Sequence, residues 1–102
     1  MHWTDGVACF CAGLFLANAT PHFVKGICGD RFPTPFAKPP GRGLSSPAVN
    51  VTWSLFNMLV GLLLARAGHL LSGPETGRWI LFAAVALFAV PTSMSFARKA
   101  KE

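Results

Sequence analysis

Of the 102 residues in this chain 52% are hydrophobic and only 13% charged, whereas a soluble domain carries about a quarter charged residues. The net charge of +5 does not indicate a nucleic-acid binder, because the cations gather between and after apolar runs, with no basic stripe or aromatic platform beside them. The carboxylates Asp5, Asp30, Glu75 and Glu102 all lie outside those runs, which argues against buried acid–base chemistry and against a proton-coupled transporter.

Three apolar runs dominate, from about Val7 to Val24, Val49 to Leu71 and Trp79 to Phe96. Crossing a hydrocarbon core takes roughly 20 helical residues at about 1.5 Å of rise each, so all three read as spans. The expected fold is an all-α membrane protein forming a single transmembrane domain over 1–102. Its three transmembrane helices are placed at about 7–24, 47–71 and 78–97, with an ordered Pro/Gly-rich loop, 28–46, between helices 1 and 2.

The segment before the first run, Met1 to Gly6, has no Lys or Arg and carries Asp5. That favours a retained helix over a cleaved signal peptide, although Ala17-Asn18-Ala19 has a small-x-small pattern. Pro21 lacks an N–H and clashes with the Ala17 carbonyl, so a kink or stop is expected there. Gly6, Cys9, Gly13, Ala17 and Thr20 form a small-residue stripe, the expected seat of the second helix. Cys11, Asn18 and His22 share another face. An amide and an imidazole at membrane depth need partners, so Asn18, His22, Asp30 and Arg31 form a candidate interfacial polar site. Simple hydration at the headgroups is the bland alternative. The cysteines Cys9, Cys11 and Cys28 read as small buried hydrophobes.

The loop holds Gly29, Pro33, Pro35, Pro39, Pro40, Gly41 and Gly43, which exclude a regular helix. Phe32, Phe36 and Leu44 need burial, so an ordered segment is expected at the headgroups or against the helices. Ser46-Pro47 announces the second helix, with Ser as N-cap and Pro at the first helical position.

Along that helix Asn50, Ser54, Asn57, Gly61, Ala65 and Gly68 recur every three or four residues and share one narrow stripe. Small residues admit a close neighbour and the amides supply interhelical hydrogen bonds. The stripe is a helix-packing face, or in the sharper reading a pore face. Gly73-Pro74 is the expected stop. Arg78-Trp79 then opens the third helix as an interfacial pair. Pro91 should kink it, with Thr92 or Ser95 satisfying the Leu87 carbonyl. Ala86, Ala89, Ser93 and Ala97 offer a close-packing side.

Lys25, Arg31, Lys38 and Arg42 lie at the first loop, and Arg98, Lys99 and Lys101 follow the third run. The positive-inside rule puts both regions in the cytoplasm and the N-terminus outside. The expected location is a prokaryotic cytoplasmic membrane. His22 and His69 fall at opposite ends of the spans, which disfavours a haem clamp within one chain but leaves ligation across subunits open, so the cofactor is unknown. The expected partners are the lipid bilayer and either a larger membrane protein or copies of this chain. The leading functional expectation is a non-enzymatic accessory or structural subunit packing through the small/polar face. The alternatives are a small homo-oligomeric channel or transporter, and a membrane-interface enzyme or lipid-binding protein using the 22–31 region.

Overall fold

A computed structural model describes the backbone of residues 1–101 and the side chains of residues 1–98. Lys99 and Lys101, two of the cations used for the expected orientation, therefore lie outside the described side chains. Three helices carry the fold: α1 (Trp3–Ile27), α2 (Pro47–Ala67) and α3 (Thr76–Lys101). Each is long and apolar enough to cross a membrane. A two-residue ladder, β1 (Phe32–Pro33) with β2 (Leu44–Ser45), lies between α1 and α2 and pairs antiparallel, Phe32 opposite Ser45.

The ends of the helices follow local chemistry. His2 caps α1 by accepting from the Thr4 N–H, while Asp5 reaches back to the His2 N–H, a reciprocal arrangement that satisfies two orphan donors. The far end of α1 closes at Gly29, whose φ of +79° suits a residue without a Cβ. There the Gly29 N–H donates to the Gly26 carbonyl and the Asp30 N–H to that of Lys25, the two bonds of a Schellman stop.

This stop corrects the expected first span, 7–24. The helix runs from residue 3 to 27 and continues through Pro21. Membrane helices tolerate such prolines because neighbours and hydroxyls take up the freed backbone groups.

The second helix also ends differently from the 47–71 expectation. The Leu70 N–H donates to the Ala65 carbonyl and the His69 N–H to that of Arg66. His69 takes the left-handed φ of 55°, so the helix stops at Ala67 before Gly73-Pro74 is reached. The third helix starts at Thr76 rather than 78 and runs through Pro91 beyond 97. The hydroxyl contact near that proline joins Ser93 to the Val90 carbonyl, not Thr92 or Ser95 to Leu87.

The chain runs up, down and up, with α1 packed against both other helices. Antiparallel α2 meets α1 at Gly26 beside Pro47 and Val51, at Gly61 beside Ala12 and Leu16, and at Gly68 beside Asp5, Ala8 and Cys9. Parallel α3 meets it at Gly6 beside Ile80 and at Gly13 beside Leu81 and Ala84. The stripe expected to receive α2 therefore receives α3 through Gly6 and Gly13. On α3 the close-approach residues are Gly77, Leu81 and Ala84, whereas Ala89, Ser93 and Ala97 are exposed.

Candidate functional site, a buried polar junction

The six stripe residues of α2, Asn50, Ser54, Asn57, Gly61, Ala65 and Gly68, are all buried. Their neighbour is α1 of the same chain, and Asn50 and Ser54 are fully enclosed. The two amides sit opposite the two polar residues of α1. Asn18 Nδ2 donates to Asn57 Oδ1 at 3.1 Å, and His22 Nδ1 lies 2.8 Å from Asn50 Oδ1.

Asn50 is the centre of the arrangement. Its Nδ2 shares two N–H groups among the backbone carbonyls of Phe32, Ser45 and Ser46, at 3.0, 3.2 and 3.1 Å. One side chain on the first turns of α2 thus ties α1, β1 and β2 together. Those three carbonyls fix which end of the amide carries nitrogen. The oxygen therefore faces His22, so Nδ1 of the imidazole must carry the proton and donate. The His22 ring also meets Phe32 edge-on, with centroids 5.3 Å apart. Phe32 in turn stacks on Phe96 of α3 at 5.2 Å, which brings the third helix to the same junction.

Asn57 is engaged more locally. Its Nδ2 donates to the Trp53 carbonyl one turn back, at 2.8 Å. Ser54 likewise bonds within its own helix, to the Val51 carbonyl at 2.7 Å. Among the described residues no buried side-chain nitrogen or oxygen lacks a hydrogen-bond partner.

Segment 34–43 is organised around Thr34, only 1% exposed. Its carbonyl accepts from the Ala37 and Gly41 N–H groups. Its hydroxyl accepts from the Phe36 N–H and bonds the Ser45 hydroxyl. Thr34→Val keeps the shape but removes both hydroxyl contacts, leaving Ser45 without this partner. We expect a local loss of about 1–2 kcal/mol, seen as faster proteolysis of segment 34–43 with unchanged helix content.

The other polar residue types of the 22–31 region do not join His22. Asp30 and Arg31 are exposed, and among the described residues no hydrogen bond or ion pair links either side chain to His22. At the opposite end His69 Nδ1 lies 3.4 Å from Asp5 Oδ1, and Arg78 donates to the Leu70 carbonyl at 2.9 Å. Cys9 sits against the same end of α2, its Sγ 3.4 Å from the Gly68 carbonyl. All three cysteines are free thiols. Among the described residues no group of three His, Cys, Asp or Glu side chains stands close enough to hold a metal.

Chemically, the junction is a set of mutually satisfied donors and acceptors with its imidazole committed to an amide. Such a network positions backbone and rigidifies it. The pairing of His22 with Asn50 had a legible element in each half, a polar residue at matching depth on two helices, but their meeting depends on how α1 and α2 face one another. No protein-family model, curated protein or solved structure matches the chain.

Proposed function

We propose that this protein is a small, non-enzymatic integral membrane subunit that assembles with a larger membrane complex or with copies of itself. One observation carries the reading: only 6% of the apolar span of α3 is buried within the chain, against 33% for α1 and 28% for α2. The polar stripe of α2 serves the chain internally, against α1, and leaves no unpaired polar face among the described residues. Of the three helices α3 leaves the most surface for an assembly, with Trp79, Phe82, Leu87 and Val90 exposed along it, although α2 also exposes Leu55, Phe56, Leu59 and Leu62. Without a water-driven hydrophobic force between helices, shape and small residues decide such docking.

The proposed orientation follows the cations. Lys25, Arg31, Lys38, Arg42 and Arg98 collect at one end of the bundle, which places segment 28–46 and the C-terminus in the cytoplasm and the N-terminus outside. In this reading segment 28–46 is an ordered Pro/Gly-rich cap at headgroup level, pinned by Asn50.

Size determination of the full chain in nanodiscs, with mass spectrometry of co-purifying proteins, tests the assembly. The expected result is a stable species larger than one chain whose formation is reduced by bulky polar substitutions along α3, such as Leu87→Gln. A monomer in lipid with no protein partner overturns it. Cys28, exposed in the cap, reports the orientation: a membrane-impermeant maleimide should reach it only from the cytoplasmic side.

A further inference from the structure

Between α1 and α3 the bundle is tightly closed at Gly13, but toward the cap the two helices enclose an open groove of about 890 Å³. That volume falls in the range of roughly 300–1,000 Å³ typical of ligand sites. Its walls are apolar and come from both helices: Ala17 from α1, and Val85, Phe88 and Ala89 from α3. Its mouth carries two cations, Lys25 and Arg31.

The α1 stop brings these cations to one mouth. The Asp30 N–H turns back onto the Lys25 carbonyl at 2.9 Å, so the residue following Asp30 returns to the end of the helix carrying Lys25. Among the described residues no carboxylate lines the groove.

We infer that this groove binds an anionic phospholipid, its phosphate between Lys25 and Arg31 and one acyl chain laid along Ala17, Val85, Phe88 and Ala89. Three features agree on that occupant. The groove lies along two membrane-length helices, so its apolar length faces acyl chains. The cations stand at its cap end, where headgroups lie, so a single amphiphile satisfies both halves. A basic pocket between helices at the headgroup level is also the arrangement that selects anionic over zwitterionic lipid. This inference requires any assembly on α3 to leave the Val85, Phe88 and Ala89 side open.

The test uses the full chain in nanodiscs of phosphatidylcholine and phosphatidylglycerol, with retained lipids counted by native mass spectrometry. The wild type should keep phosphatidylglycerol in preference to phosphatidylcholine. Lys25→Gln/Arg31→Gln should lower that preference by about fivefold for each cation removed, while Lys38→Gln/Arg42→Gln, at exposed positions of the cap outside the groove, should leave it unchanged. Ala89→Trp keeps every charge but fills the groove, and should abolish retention. All five positions are exposed, so the variants leave the buried packing untouched. Equal loss in both charge pairs reduces the effect to diffuse surface charge and overturns the site. So does full retention in Ala89→Trp, or a dimer that covers the groove and excludes lipid.

Discussion

Replacing Asn50 with Leu should lower the stability of the helical bundle by about 2–4 kcal/mol, because two amide N–H groups and one amide oxygen are lost together at roughly 1–3 kcal/mol for each buried group left unpaired, while the Ser46 carbonyl keeps the backbone N–H of residue 50. Leu occupies a comparable space but neither donates nor accepts. The Phe32, Ser45 and Ser46 carbonyls lose the amide that now faces them, and His22 loses its acceptor. An interhelical hydrogen bond alone would not reach this size, since such bonds in membranes average about 0.6 kcal/mol. The magnitude comes from losing the His22 acceptor and the donors to the Phe32 and Ser45 carbonyls together, around a side chain that is itself fully enclosed.

The contrast with Asn57→Leu makes the prediction specific. Asn57 returns its donor to its own helix and faces a half-buried Asn18, so the expected cost is about 1 kcal/mol. Reversible unfolding of both variants in mixed micelles measures the difference. Thr52→Ala, which removes only an exposed bond to the Ala48 carbonyl, should stay within about 0.5 kcal/mol of wild type.

The second large effect is expected at Gly13. A Cβ there would lie 2.6 Å from the Leu81 carbonyl oxygen and 2.8 Å from the Ala84 Cβ. The oxygen belongs to backbone and Ala84 is fully buried, so neither can turn aside as a flexible side chain would. Gly13→Val should push α3 off α1 at a cost of about 2–3 kcal/mol, typical of overpacking. Spin labels at exposed Val7 and Phe82, in a chain whose natural cysteines are replaced, should report a longer α1–α3 distance. Gly6→Ala is the control: its Cβ would meet Ile80 Cδ1 at an ordinary 3.5 Å, and the distance should not change.

The spans are legible in the sequence because length and apolarity are nearly sufficient to specify a membrane helix. Their ends are less so. Pro21 reads as a breaker in water, yet α1 continues past it to Ile27. Gly73-Pro74 reads as a stop, yet a left-handed His69 ends α2 first, a conformation that a non-glycine residue does not advertise.

The spacing of Asn50, Ser54, Asn57, Gly61, Ala65 and Gly68 shows one face but not which neighbour fills it. The same holds on α1, where Gly6 and Gly13 signal close approach and the helix that approaches is α3 rather than α2. Hydration of Asn18 and His22 at the headgroups is a sound reading of either residue in isolation. Burial of His22 to 6% exposure follows only once α2 and the ladder close over it. The groove at Lys25 and Arg31 combines residues from α1, the ladder and α3, a juxtaposition that no local pattern encodes.

Most central is that His22 and Asn50 pair through Nδ1 and Oδ1 in a buried junction that holds α1, α2 and the cap together. The most direct measurement is the nitrogen-15 spectrum of the His22 imidazole in the full chain in lipid nanodiscs. A protonated Nδ1 that exchanges slowly with deuterated water, and that changes on Asn50→Leu, is the predicted result. An Nε2-protonated ring in fast exchange, indifferent to Asn50, would contradict it.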